Sequence, residues 1–204
     1  MSKLEQAIRA ALPSFTDTEI VAPAAQAEDT FLLGNLTYRW YYAVGMAKAP
    51  RWILETGVKY GYSAIAMCKG ARQSGQEPVF VGIDAEADGI TCNPIAKAAL
   101  DSLGIQHRII RANTRDVDTV NASIEESFDI VHIDADHSPE GIAQELRIAE
   151  KFVSSTGLIL VDDVDVAHVA DPAAEFAASR GISILHLPTQ HGVFVIDMNE
   201  ANKS

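Results

Sequence analysis

The chain has 204 residues, 48% of them hydrophobic and 22% charged, the balance of a globular domain with a sizeable core and not of a disordered chain. Sixteen basic residues against twenty-eight acidic ones leave a net charge of −12, which argues against nucleic acid or an anionic membrane as principal partner. Two cysteines, Cys68 and Cys92, build neither a disulfide framework nor a C-x-x-C motif, and no apolar run approaches the roughly 18 residues that cross a bilayer. The N-terminal MSKLEQAIRAALPSF is charged and amphipathic, without the continuous apolar stretch of a signal peptide. The expectation is a cytoplasmic protein.

Along the chain, residues 3–12 read as a short helix with Leu4, Ile8, Ala11 and Leu12 on one face and Pro13 behind it. A polar connection over 14–29 leads to a second helix, capped by Asp29 or Thr30 and stopped by Pro50. From Arg51 the pattern changes to short apolar runs alternating with helical stretches. The predicted strands are WILET (52–56), VFVGID (79–84), HRIIRA (107–112), FDIVHID (128–134) and GLILVDD (157–163). Helices are expected between them at about 62–74, 92–103, 116–126 and 139–153, with another near 172–180. The strand runs are continuously apolar, as in parallel strands buried on both faces. SILHLP (183–188) and GVFVIDM (192–198) are too close for a crossover helix and are expected to pair antiparallel. The fold expected is α/β and doubly wound: a seven-stranded, mostly parallel sheet ending in an antiparallel hairpin.

Ligands of such sheets bind at the carboxyl ends of the strands, near the reversal of strand order. After the first strand comes Glu55-Thr-Gly57-Val-Lys-Tyr60-Gly61-Tyr-Ser63. Its glycines allow a tight turn, and the following helix offers free N–H groups to an anion. The loop is not the dinucleotide G-x-G-x-x-G motif. Asp84, ending the second strand, is spaced to accept both ribose hydroxyls of a nucleoside, with a solvated loop carboxylate beside Glu86 and Asp88 as the alternative. Asn113 and Thr114 after the third strand fit either a base or ribose contact or the cap of the next helix. Asp134-Ala-Asp136-His137 ends the fourth strand and Asp162-Asp163 the fifth. Carboxylates converging from adjacent strands repel unless a cation lies between them, and oxygen ligands suit Mg²⁺, Ca²⁺ or Mn²⁺. Acidic loop tips and helix caps are the bland alternative.

E-x-G-x-x-x-G-x-S after the first strand, an acidic end to the second, I-D-A-D-H-S after the fourth and the terminal hairpin resemble a class I S-adenosylmethionine-dependent methyltransferase. The likeness covers about residues 51–198, and I-D-A-D-H followed by V-D-D is similar to the small metal-dependent O-methyltransferases of the catechol, caffeoyl-CoA and sugar types. The expected organisation is an N-terminal helical cap over residues 1–50 and an S-adenosylmethionine-binding methyltransferase domain over 51–204. The resemblance implies that Glu55, Gly57 and Ser63 surround the methionine end of the cofactor and that Asp84 holds the ribose. Tyr60, Gly61, Asn113 and Asp134 complete the cofactor set. Asp134, Asp162 and Asp163 are implied as ligands of a divalent cation, magnesium foremost.

Where the catechol-type enzymes carry a lysine base, three residues after the first metal aspartate, this chain has His137, which with Asp134 makes the expected catalytic pair. Lys59 is a second departure, standing where many class I enzymes have a further glycine. The expected reaction is methyl transfer to a hydroxyl of a small acceptor. A nicotinamide-dependent oxidoreductase and a non-catalytic cofactor-binding module are the alternatives. His132 reads as a core or supporting histidine. The aromatic helix with Phe31, Tyr38, Trp40, Tyr41 and Tyr42 reads as a packing or homodimer face, or as a roof over the acceptor.

Overall fold

The computed structural model describes residues 1–15, 37–86 and 93–200. The expected cap at Asp29 or Thr30, the aromatic Phe31 and Cys92 lie outside the described residues. Helix α1 (Lys3–Ala11) is opened by Ser2, whose hydroxyl accepts the Glu5 amide, and closes in a 3₁₀ turn over Leu12–Ser14. Helix α2 spans Thr37–Lys48. The alternation then runs β1 (Trp52–Thr56), α3 (Tyr62–Gln73), β2 (Val79–Asp84), α4 (Asn93–Ser102), β3 (Gln106–Arg111), α5 (Val117–Ser123) and β4 (Phe128–Ile133). It continues through α6 (Pro139–Phe152), β5 (Val153–Val161), α7 (Ala167–Ala178), β6 (Ile184–Leu187) and β7 (Val193–Asp197). Among the described residues no helix is long and apolar enough to cross a membrane.

The seven strands form one sheet in the order β3-β2-β1-β4-β5-β7-β6. All neighbours are parallel except β7, which runs antiparallel to both β5 and β6. This is the expected sheet with its terminal hairpin. Side chains alternate across it, and both faces are covered. Ile53, Phe80, Ile130 and Leu158 pack with Ile8, Trp40, Ile65 and Leu100 from α1–α4. Leu54, Val81, Val131 and Ile159 pack with Val120, Leu146, Val169 and Phe176 from α5–α7. Two buried layers explain why the strand sequences are apolar throughout.

Two boundaries differ from expectation. Strand β5 starts at Val153, directly after α6, and its pairing with β4 slips between Phe128↔Val153 and Ile130↔Leu158. The intervening Ser-Ser-Thr carries no apolar signal, so the sequence suggests a later start. Helix α7 begins at Ala167 and carries Pro172 inside it; the expectation had placed its start at the proline. The apolar spacing of Val169, Ala173, Phe176 and Ala177, all buried, outweighs the hydrogen bond that proline cannot make.

Strand order reverses between β1 and β4, and two features set the geometry there. Gly57 (φ +79) sits with its Cα against the Asp134 carbonyl, where a Cβ would collide. The close approach that this glycine permits is therefore between the β1 and β4 loops themselves. On the face above, α2 and α3 touch backbone to backbone. A Cβ at Gly45 would strike the Met67 carbonyl, and one at Gly70 the Tyr42 carbonyl. That contact lowers α2 onto the end of the sheet.

On the opposite face, Glu145 of α6 lies on the apolar stripe Ile142, Glu145, Leu146, Ala149 and is fully buried. It accepts the Thr56 hydroxyl at 3.3 Å, the Thr114 hydroxyl and the Ala135 amide, joining the loops after β1, β3 and β4. Burial raises its pKa from 4.5 to about 7 against these donors.

Two outcomes are expected. Gly70→Ala overpacks the α2–α3 contact and lowers stability by about 1–3 kcal/mol in urea denaturation. Glu145 binds its proton more tightly folded than unfolded, so its contribution to stability declines as pH rises from about 4.5 to 7. Glu145→Gln removes that decline: denaturation at pH 5 and pH 8 should show a loss smaller by about 2–3 kcal/mol than in wild type.

Candidate active site

A cavity of about 890 Å³ opens at the carboxyl ends of the strands, astride the β1–β4 junction. One wall is the β1–α3 loop, with Gly57, Lys59, Tyr60, Gly61 and Ser63, together with Asp84 after β2 and Asn113 after β3. The other is formed by Asp134 and His137 after β4 and by Asp162 and Asp163 after β5. Helix α2 contributes Thr37, Tyr38 and Tyr41, and the β6–β7 turn contributes Gln190 and His191. The Gln190 amide donates to the Thr37 hydroxyl at 3.2 Å, which holds that turn against the start of α2. The aromatic helix therefore does two jobs: Trp40 and Tyr42 are buried in the core, while Tyr38 and Tyr41 face the cavity.

On the first wall, the Asp84 carboxylate accepts the Lys59 amide at 2.8 Å through Oδ2 and the Glu86 amide at 2.6 Å through Oδ1. Both oxygens are thereby oriented, and a carboxylate has lone pairs left for further donors. Lys59 adopts φ +47 to make its bond. A lysine is thus accommodated in this left-handed turn, where the related pattern has glycine. Asn113 accepts the Arg115 amide at 2.9 Å, and the cap of α5 is Asp116, which accepts Thr119 N–H. Asn113 is thereby left as a wall residue and not a cap, and Thr114 is buried on Glu145. Glu55, in contrast, does not reach the cavity. It shares a sheet face with Ile53 and lies fully buried beneath α3.

The second wall divides into two groups. In the outer one, His137 Nε2 lies 3.3 Å from Asp134 Oδ1 and 3.4 Å from Asp163 Oδ2. In the inner one, ligand-type atoms of His132, Asp134 and Asp162 lie within 4.8 Å of one another. Asp134 belongs to both. Burial and the neighbouring Asp162 charge push Asp134 up to about 7, opposed by the His137 contact. Asp162 is likewise raised by burial, opposed by the charge on His132 and by the Asp163 amide, which Asp162 Oδ1 accepts at 2.9 Å. His137 is pushed up to about 9 by its hydrogen bond to Asp134 and the surrounding carboxylates. Asp163 takes φ +58, the turn that directs its side chain into the cavity. Asp136 turns from these groups to pair with Arg115 Nε at 2.7 Å, and both residues line the same cavity.

Beneath both walls runs a buried chain of polar contacts. Ser63 Oγ donates to Glu55 Oε1, and His132 Nδ1 reaches the same oxygen at 2.7 Å. His132 Nε2 lies 2.9 Å from the Tyr41 hydroxyl, which in turn bonds Asp162. Desolvation works against a charged His132, but Glu55, Asp134 and Asp162 outweigh it and raise its pKa to about 9. The aromatic helix, expected as a packing or dimer face or as a roof over the acceptor, places Tyr41 at the cavity, and Glu145 was not among the expected residues. The signal for Glu145 was a charged residue on an otherwise apolar helical stripe; Tyr41 had none.

Residues 54–164 match the family model described as methyltransferase domain. The curated O-methyltransferase hkm8 of Aspergillus hancockii is 29% identical over 126 residues, 61% of this chain and 47% of that protein; the chain thus spans about half the length of the curated relative it matches. Among solved structures, an O-methyltransferase from Bacillus cereus in complex with SAH superposes with a TM-score of 0.63 at 16% identity, covering 97% of this chain and 91% of the other. The O-methyltransferase TomG from Streptomyces achromogenes, involved in tomaymycin synthesis and bound to SAM, gives 0.62 at 17% identity over 97% and 99%. These two share the fold. The family match runs from β1, through the glycine loop and both aspartate clusters, to the turn after β5, over half of the sequence: the chain belongs to the methyltransferase-domain family.

Proposed function

We propose that the protein transfers a methyl group from S-adenosylmethionine to a hydroxyl of a small acceptor, assisted by a divalent cation. The observation that carries this reading is the single cavity joining a nucleoside-type wall, with Asp84 and the glycine loop, to a wall of carboxylates and histidine. Asp84, with both oxygens oriented by loop amides, holds the ribose. The free amides of α3 and the Ser63 hydroxyl meet the methionine end. Tyr60, Gly61 and Asn113 enclose the nucleoside, and Asp134 stands between cofactor and acceptor.

The donor chemistry fits a hard cation. Asp134, Asp162 and Asp163 provide oxygen ligands, and the raised pKa of Asp134 comes first from burial and then from the Asp162 charge, both of which nearby positive charge offsets. A bound cation supplies Lewis-acid polarisation of the acceptor oxygen and lowers the pKa of its hydroxyl. The protein's own residues do the rest. The cavity walls align acceptor oxygen, methyl carbon and sulfur for in-line displacement. The oxygen forms the C–O bond, the C–S bond breaks with its electron pair going to sulfur, and the hydroxyl proton leaves to His137. His137 between two bare carboxylates holds its proton up to about pH 9. It accepts the hydroxyl proton in its neutral form, which lower charge on Asp134 and Asp163 would favour.

One observation favours a metal-independent variant of the same reaction. His132 and His137 already stand among the carboxylates as internal cations.

The tests separate these readings. Asp84→Ala should weaken S-adenosylmethionine binding by about 1.5–3 kcal/mol in calorimetry, because charged hydrogen bonds to the ligand are lost. Mg²⁺ or Mn²⁺ should raise the melting temperature in a concentration-dependent way, and Asp162→Asn should abolish most of that rise. An acceptor screen reading S-adenosylhomocysteine release should lose all turnover in EDTA and regain it with Mg²⁺. Turnover untouched by EDTA selects the metal-independent variant, and absence of S-adenosylmethionine binding removes the methyltransferase reading.

A further inference from the structure

The chemistry above uses Asp162 but leaves the side chains that hold it unexplained. Tyr41, His132 and Glu55 come from α2, β4 and β1, are buried, and share no sequence motif. The pairing of β1 with β4 sets Glu55 directly beside His132. Both lie on the face covered by α2 and α3, so Tyr41 descends onto His132 from above, ring against ring at 4.8 Å and 61°.

Hydrogen-bond direction makes this chain specific. A carboxylate only accepts, so His132 Nδ1–H gives its proton to Glu55, and the Tyr41 hydroxyl gives its single proton to Asp162. The remaining link, at 2.9 Å, runs from His132 Nε2–H to the phenol oxygen. Each donor is used once, and the phenol is oriented at Asp162 by a group that is itself anchored on a buried glutamate. Asp162 in turn braces its neighbour, since its Oδ1 accepts the amide of Asp163, the residue in the left-handed turn. Whatever fixes Asp162 therefore also steadies Asp163.

We propose that Tyr41 is a positioning residue, supported by His132 and Glu55, that sets the Asp162–Asp163 carboxylate pair for binding a divalent cation. The proposal rests on the cation-assisted reading above. A phenol present only to fill space over His132 is replaced by phenylalanine without consequence for the carboxylates. One that orients Asp162 is not, because supporting residues around a metal site govern how well its ligands are aligned.

The test is a double-mutant cycle on the full chain, with Mn²⁺ binding followed by electron paramagnetic resonance of the free ion and SAH binding by calorimetry. Tyr41→Phe keeps the ring and should lower Mn²⁺ affinity about tenfold or more, while SAH affinity stays within about twofold. In an Asp162→Asn background the same change should cause little further loss, because the partner through which Tyr41 acts has been altered. Unchanged Mn²⁺ affinity in Tyr41→Phe overturns the proposal. So does an equal loss of Mn²⁺ and SAH binding, or an undiminished loss in the Asp162→Asn background. Should Tyr41→Phe not yield folded protein, His132→Asn, which cuts the phenol's support and leaves Tyr41 in place, is read by the same criteria. A wild-type protein that binds SAH but no Mn²⁺ overturns the role of Tyr41 and leaves methyl transfer standing; one that binds Mn²⁺ but no SAH does the reverse.

Discussion

A glutamate and a histidine lie side by side across the junction of β1 and β4, both fully buried, and much of the site is arranged around the cost of keeping them there. Removing one partner of a buried ion pair costs about 3–5 kcal/mol, because an uncompensated charge is left behind. Glu55 and His132 meet at 2.7 Å; Ser63 shares the same Glu55 oxygen, His132 Nε2 reaches Tyr41, and Glu55 Oε2 lies buried without a hydrogen-bond partner among the described residues. The pair thus extends beneath the cavity and touches both of its walls. It occupies the point where strand order reverses, where sheets of this kind leave a crevice for a ligand.

Electrostatics along the second wall follow from the same crowding. Burial and the Asp162 charge raise Asp134, while Glu55 foremost holds His132 in the charged form against its burial and the hydrogen bond to Asp134 does the same for His137. On the proposed reading, protons and a bound cation compete for the same carboxylates. In the proposed mechanism His137 takes the hydroxyl proton from its place on that wall. The acidic surface of the molecule contributes little to it, since exposed charges are screened over about 8–10 Å.

Backbone contacts deliver the side chains to these positions. Gly57 lets the β1 loop rest on the Asp134 carbonyl, and Gly45 with Gly70 lets α2 rest on α3. A helix held a methyl group farther out would lift Tyr41 from His132 and widen the roof of the cavity. Below the sheet, Glu145 ties three loops to α6.

The sequence by itself determined the strands, most helices, the hairpin and the two carboxylate-bearing loops. Period and continuity of apolar residues follow directly from burial on one face or two, and loop ends follow from glycine and aspartate. It also placed Asp84, Asn113, Asp134, His137, Asp162 and Asp163 at one edge of the sheet, because strand direction alone decides that. Tertiary structure decided the rest. Strand parity turned Glu55 inward, away from the cofactor wall the motif suggested. Helix–helix contact brought Tyr41, an unremarkable aromatic in a helix of aromatics, onto a histidine ninety-one positions away. Distances between groups from different elements set which carboxylate binds outward and which is held from within. Those distances depend on packing between layers, which no local pattern in the chain encodes.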